Sequence, residues 1–298
     1  MPHHEEILPS HEQRAKPLAV ISPLATLNTS DTPAHAQECS QLAEIWSTLR
    51  TEAKDLCDRE PVMRHQLASQ ILERDSAHQL VIEVVAGRLA SAGQPAPKLA
   101  AFLYEALHSH IEEFEANCVA DLAAVKTRDP ACRSYLHILL NLKGFQTLVT
   151  YRAARQLWLA ERWEAAQWLA SMASLVFGAD IHPGARLGKG LLLDHATGLV
   201  IGETAVIEDG VSILQNVTLG GTGKERGDRH PKVRKGVLIG AGANVLGNIE
   251  VGTMSKIAAG SVVLEPVPPH CTVAGVPARV VRRLSTTDCP ADDMNQNI

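Results

Sequence analysis

Apolar residues recur along this chain with two different periods. From about residue 39 to 177 the spacing is helical. Leu42, Ile45, Leu49, Ala53 and Leu56 lie three or four apart and share one helix face. Glu60-Pro61 reads as a helix start, because proline is tolerated in a first turn. Ser76 is placed to cap the run carrying Leu80, Val81, Val84, Val85 and Leu89. Gly93–Pro97 breaks that run, and Leu99, Phe102, Leu103, Ala106, Leu107 and His110 open another. Residues 134–177 are helical as well, with Trp158, Trp163 and Trp168 as core or subunit contacts.

After about residue 178 glycine and β-branched residues rise and the period becomes six. Ile201, Ile207, Ile213 and Leu219 form one run, and Ile239, Val245, Val251, Ile257 and Val263 another. Ile181, Leu187, Leu193 and Leu199 form an earlier set, offset by two. An aliphatic residue every sixth position signals a parallel β-helix, with one side chain per face in a narrow core and small residues at the corners. Three repeats make a coil, and each coil rises by one strand spacing, roughly 4.8 Å. Leu219 and Ile239 are twenty apart, which is not a multiple of six, so a polar loop leaves the repeat between them.

The expected organisation is therefore α+β in two regions. A flexible N-terminal arm spans 1–38, an α-helical domain 39–177, a parallel β-helix 178–284 with an excursion loop at 220–236, and a polar tail 285–298. The net charge of −5 gives no electrostatic reason to expect nucleic acid or an anionic membrane as partner. No apolar run reaches the roughly 18 residues of a membrane span, and the N-terminus lacks a signal-peptide core, so the expected location is the cytoplasm. The six cysteines are scattered without a C-x-x-C pair and read as free thiols.

Several strings narrow the reading. They are Arg128-Asp129-Pro130-Ala131, Asp180-Ile181-His182-Pro183, Asp194-His195-Ala196-Thr197-Gly198, Thr218-Leu219-Gly220-Gly221-Thr222-Gly223-Lys224, Gly227-Asp228-Arg229-His230-Pro231-Lys232 and Ala274-Gly275-Val276-Pro277-Ala278-Arg279. Together they resemble the serine O-acetyltransferases of the hexapeptide-repeat acyltransferase family, most closely over residues 115–282. The resemblance implies a left-handed β-helix, a homotrimer or a dimer of trimers, and acetyl transfer from acetyl-CoA to L-serine as the first step of cysteine biosynthesis. Acetyl-CoA is then a co-substrate, with no bound cofactor and no metal.

A serine hydroxyl needs a base, and a neutral imidazole titrates near working pH. His195, in a turn of the repeat beside Asp194, is the candidate; the alternative is a simple corner histidine. Asp180 lies fifteen residues earlier, which permits contact from a neighbouring coil, and the resemblance implies that Asp180 and His195 form the catalytic dyad. Asp129 and Asp194 suit the substrate ammonium. Arg229 suits its carboxylate through a planar fork, helped by His230. Asp129 reads equally as a helix–loop junction, and Arg229 and His230 as part of a solvated loop. For acetyl-CoA the candidates are main-chain groups at the Ala241 and Ala259 corners, with Thr222, Lys256 and Arg279.

The resemblance further implies that the C-terminal Ile298 enters O-acetylserine sulfhydrylase, and that L-cysteine, sharing serine's ammonium and carboxylate, inhibits by feedback. Competing readings are an acetyltransferase of the same fold for a sugar or homoserine, a non-catalytic scaffold, and a zinc enzyme like the β-helical carbonic anhydrases built on His182, His195 and His230.

Overall fold

The computed structural model describes residues 33–90, 94–223 and 225–298, with side chains from residue 40 onward. The first helix, α1, runs Pro33–Arg59 and so begins inside the stretch expected as an arm; residues 1–32 lie outside the described residues. Its face behaves as the spacing predicts, with Ile45, Leu49 and Ala53 buried. Pro61 opens a short broken helical stretch, a 3-10 turn at Pro61–Met63, α2 (Arg64–Leu67) and a wide π turn at Ala68–Leu72.

Ser76 caps α3 (Ala77–Leu89), its hydroxyl accepting from the Gln79 N–H. Helices α4 (Ala96–Leu107), α5 (Ile111–Arg128), α6 (Tyr135–Asn141), α7 (Lys143–Leu159) and α8 (Trp163–Phe177) complete the helical region. Trp158 is packed against its core, whereas Trp163 and Trp168 remain partly exposed on α8.

Gly178, in the left-handed conformation that glycine adopts without strain, ends α8 and starts the solenoid. Fifteen short strands follow in three sheets. Sheet A takes β1 (Ala179–Ile181), β4 (Leu199–Ile201), β7 (Thr218–Gly220), β10 (Asn244–Leu246) and β13 (Val262–Val263). Sheet B takes β2 (Arg186–Leu187), β5 (Val206–Ile207), β8 (Lys232–Val233) and β11 (Glu250–Val251). Sheet C takes β3 (Leu192–Leu193), β6 (Ser212–Ile213), β9 (Leu238–Ile239), β12 (Lys256–Ile257), β14 (Cys271–Gly275) and β15 (Ala278–Arg283). Every pairing is parallel except the closing β14–β15 hairpin.

Two details of the coil differ from the sequence reading. The excursion ends at β8 rather than at residue 236, because Val233 stands six before Ile239 and already fills the core, fully buried. The first coil is also longer than eighteen. Ile181 pairs with Ile201 and Leu193 with Ile213, each twenty residues on, whereas Val233 pairs with Val251 eighteen on. The two extra residues sit in the corner between β3 and β4, which accounts for the offset of the earliest aliphatic set.

The two regions share one junction. Gly144 opens α7 against β3, where a Cβ would stand 1.8 Å from the Leu193 carbonyl oxygen. Asp121 of α5 and Arg152 of α7 form a buried ion pair at 2.5 Å. Asp121 also accepts from the Leu191 N–H at 3.0 Å, and Arg152 donates to the Gly188 carbonyl at 3.2 Å.

The tail does not trail away. After β15 it forms a single turn, α9 (Pro290–Asp293), with Pro290 and Ala291 buried. Arg128 of α5 holds Asp292 at 2.8 Å, and Ser212 donates to the Ala291 carbonyl at 2.8 Å. No described helix is long and apolar enough to cross a membrane. The five described cysteines, Cys57, Cys118, Cys132, Cys271 and Cys289, are free thiols.

Candidate functional site

The sequence-predicted residues fall into two groups, one at each end of the sheet A strands. The first is the long corner between sheets C and A, Asp194 to Gly198. His195, Ala196 and Gly198 all have positive φ, at 56°, 57° and 74°. Two tight bonds fold it, Ala196 N–H to the Asp194 carbonyl at 2.6 Å and Thr197 N–H to the His195 carbonyl at 2.7 Å. Such backbone is costly for a non-glycine residue, and histidine is among those found in it. The result is an imidazole pushed outward, its side chain 73% exposed. Lys143, at the start of α7, donates to the Thr197 hydroxyl and braces the corner.

His195 Nε2 lies 3.7 Å from Asp194 Oδ1. No hydrogen bond or ion pair joins Asp180 to His195 among the described residues. The expected contact rested on a coil of eighteen; in the twenty-residue first coil Asp180 lies in β1, paired with Val200, with its side chain on the outer face of sheet A.

Asp129 ends α5, and its carboxylate accepts from the Ala131 N–H at 2.8 Å, the local turn expected at a helix–loop junction. It is also close enough to act on Asp194. Burial pushes the Asp194 carboxyl above its ordinary range, and the negative charge of Asp129 adds to the rise against the pull of His195. Asp129, Asp194 and the tail residues Asp292 and Asp293 line a cavity of about 440 Å³, an acidic setting that favours an ammonium.

The second group gathers at the corner between sheets A and B, where the excursion loop returns. Arg229 donates to Glu203 at 2.8 Å and to the Gly227 carbonyl at 3.0 Å. The pairing holds the Glu203 carboxyl below its ordinary range. Thr204 ties the loop down, its hydroxyl accepting from the N–H groups of Arg229 and His230 at 3.0 and 3.1 Å. His230 is buried against Gly202, where a Cβ would stand 2.1 Å from the ring. Its Nδ1 accepts from the Thr204 N–H at 3.2 Å, so the neutral ring carries its proton on Nε2. Burial lowers its pKa, and neighbouring Arg229 lowers it further. His182 shares this corner, its Nδ1 accepting from the Gly184 N–H at 2.9 Å and its ring edge-on to Trp158 at 4.9 Å. Glu203 and Thr204 escaped the sequence reading. The available signal was an acid and a hydroxyl at a corner beside a loop rich in Arg and Lys.

The acetyl-CoA candidates divide in the same way. Ala241 and Ala259 stack at the C/A corner, above His195, joined by the Gly260 N–H to Ala241 carbonyl bond of 2.8 Å. Neither alanine N–H donates to another group among the described residues. Thr222 is at the other corner, its methyl near Gly247. Arg279 is exposed on β15 and donates to the Ala278 carbonyl at 2.9 Å. Lys256 is not open: it is buried on sheet C and holds the carbonyls of Asn295, at 3.1 Å, and Asn297. Ile298 is 65% exposed.

Among the described residues no three His, Cys, Asp or Glu side chains stand together as a metal site. Within one chain His195 lies at one corner and His182 and His230 at the other.

Residues 45–150 match the family model described as serine acetyltransferase, N-terminal. The serine acetyltransferase of Salmonella typhimurium is 49% identical over 259 residues, covering 87% of this chain and 94% of that one. The chain belongs to the serine acetyltransferase family. Solved serine acetyltransferases have the same fold. One in complex with cysteine has a TM-score of 0.83 at 47% identity, covering 86% of this chain and 99% of its own. That of Brucella abortus in complex with coenzyme A has a TM-score of 0.80 at 49% identity, covering 84% and 99%. As a member of the serine acetyltransferases the chain is an acyltransferase, and the competing scaffold and zinc-hydratase readings fall away.

Proposed function

We propose that the chain carries out serine acetylation with His195 as general base, in a cleft completed by a second copy. The observation that carries this reading is the separation of the two groups. His195, Asp194 and Asp129 lie at one end of sheet A, and Arg229, Glu203 and His230 at the other, with a three-residue strand of about 10 Å between them. An amino acid has its ammonium and carboxylate only a few ångströms apart, so one chain does not grip both. A neighbour whose A/B corner meets this chain's C/A corner brings them together. Three copies around an axis close that contact, and pairing of two such trimers through the helical regions gives a dimer of trimers.

In this cleft Asp129 and Asp194 hold the serine ammonium and the partner copy's guanidinium clasps its carboxylate. The neutral imidazole of His195 takes the hydroxyl proton as serine Oγ attacks the thioester carbonyl. The C–S bond then breaks, the sulfur leaves with the electron pair, and the imidazolium returns the proton to give CoA thiol and O-acetylserine. A carboxylate behind the imidazole orients it and stabilises the cation; Asp180 is the family's candidate, and Asp194 is adjacent in the structure. The stacked N–H groups of Ala241 and Ala259 line the C/A corner for the amides of the pantetheine arm, with Arg279 nearby and Thr222 brought in by the partner copy's A/B corner. Lys256 joins them once the tail releases it.

L-cysteine presents the same ammonium and carboxylate with a thiol in place of the hydroxyl. It occupies the same grip and inhibits, in keeping with a relative solved in complex with cysteine. The exposed Ile298, with its terminal carboxylate, is the docking unit for O-acetylserine sulfhydrylase.

Following CoA thiol release with acetyl-CoA and a panel of acceptors tests the substrate assignment. Rapid release with L-serine, and slow release with homoserine or a hexose, supports it. Faster release with either alternative acceptor overturns it.

A further inference from the structure

A further cleft, of about 680 Å³, opens where the helical region meets sheet B. Its volume is that of ligand pockets, roughly 300–1,000 Å³. Leu159 of α7, largely exposed, and the half-buried Val206 of sheet B give it an apolar shelf, with Leu107 and Phe114 buried behind.

The charged groups around that shelf are unevenly satisfied. Among the acids, Glu208 is taken by Arg234 at 2.7 Å, Asp209 accepts the Lys189 N–H at 2.8 Å, and Glu113 faces His110 at 3.9 Å. Among the cations, Arg155 donates to the carbonyls of Pro183 and Gly184. The side chains of Arg186 and Lys235 form no ion pair among the described residues; Arg186 acts on Asp228 only at longer range, and it is the main-chain N–H of Lys235 that donates to Glu208, at 3.0 Å. Arg152 lines the cleft with a side chain only 8% exposed, and its Nε, fully buried, has no acceptor. An orphaned guanidinium N–H at that depth is costly unless something accepts from it.

We infer that this cleft binds a small phosphate or sulfate monoester with a compact apolar body. Its tetrahedral oxyanion is held by Arg155, Arg186 and Lys235 and accepts from Arg152, and its apolar part lies on the Leu159–Val206 shelf. The site lies on the sheet B face and uses none of the residues assigned to acetyl transfer, although Arg155 touches the A/B corner through the Pro183 and Gly184 carbonyls.

Calorimetric titration of the full chain, saturated with CoA to fill the transfer site, tests this. The probes are phenyl phosphate, phenyl sulfate and inorganic phosphate. Saturable binding of an aryl ester at least tenfold tighter than inorganic phosphate is expected, and whichever ester binds tighter identifies the oxyanion. The Arg186→Glu/Lys235→Glu double variant weakens it at least tenfold while serine-dependent thiol release is unchanged. Leu159→Glu, at an exposed shelf position, weakens it likewise and serves if the double variant fails to fold. Absence of saturable binding, equal binding of inorganic phosphate, or full-strength binding by folded variants overturns the inference.

Discussion

His195 Nε2 stands 3.7 Å from Asp194 Oδ1, the carboxylate of the residue before it in the chain. The contact arises because the corner carries two more residues than the repeat needs. Its left-handed backbone turns the imidazole outward while Asp194 stays half-buried below. Asp194 therefore faces two neighbours, the His195 imidazole and the Asp129 carboxylate.

A pH dependence follows from that sharing. Burial and Asp129 raise the Asp194 pKa. A raised carboxyl loses its charge at a higher pH than an ordinary one as the solution is acidified, and ammonium binding goes with it. The acid limb of serine binding, read from the serine dissociation constant and so kept apart from protonation of the base, thus lies above the ordinary carboxylate range. Asp129→Asn removes a negative neighbour, lowers the Asp194 pKa and moves the limb to lower pH. A limb that stays in place shows that Asp194 is not the group responsible.

Arg229 uses separate guanidinium nitrogens for Glu203 and the Gly227 carbonyl, which fixes the plane of its fork. Lysine keeps the charge and loses the fork. Hydrogen bonds to charged groups contribute about 1.5–3 kcal/mol, so Arg229→Lys raises the serine KM by roughly ten- to a hundredfold. The KM for acetyl-CoA stays within a few-fold. Initial-rate kinetics with each substrate varied separate the two, and an unchanged serine KM contradicts the assignment.

The Asp121–Arg152 pair is the main polar strut between the helical region and the first coil. Removing one partner of a buried pair leaves the other uncompensated, at a cost of about 3–5 kcal/mol. Asp121→Asn lowers the urea midpoint correspondingly. Loss of less than about 1 kcal/mol shows that the pair is replaceable by packing alone.

The tail is anchored by α9 and Lys256, but its last side chain is free. Deleting Ile298 alone abolishes co-elution with O-acetylserine sulfhydrylase and leaves serine acetylation intact. Retained co-elution places the contact elsewhere.

The solenoid was legible because one aliphatic residue every sixth position matches neither the 3.6-residue period of a helix nor the strict alternation of an ordinary strand. Ser76 was legible because a cap is local chemistry. The misread end of the excursion lay in plain view: Val233 extends the Ile239 series by one step, yet Lys232, Arg234 and Lys235 around it read as loop. Within one chain Asp180 does not reach His195, and the reason lies in the length of the first coil. A two-residue insertion in one corner is small in sequence but shifts everything stacked on it. Glu203 and the docking of α9 depend on where a loop and a tail return, which no local pattern encodes. The proposed union of the two half-sites would likewise belong to an assembly and not to any stretch of residues.

The central claim is that His195 abstracts the serine proton. Pre-steady-state thiol release with saturating acetyl-CoA and L-serine tests it directly in the His195→Ala variant. A positioned base contributes about 10²–10⁴ in rate. The rate of release is predicted to fall by that factor, with the serine dissociation constant changed less than threefold. A variant that releases CoA within about threefold of the unmodified rate contradicts the account.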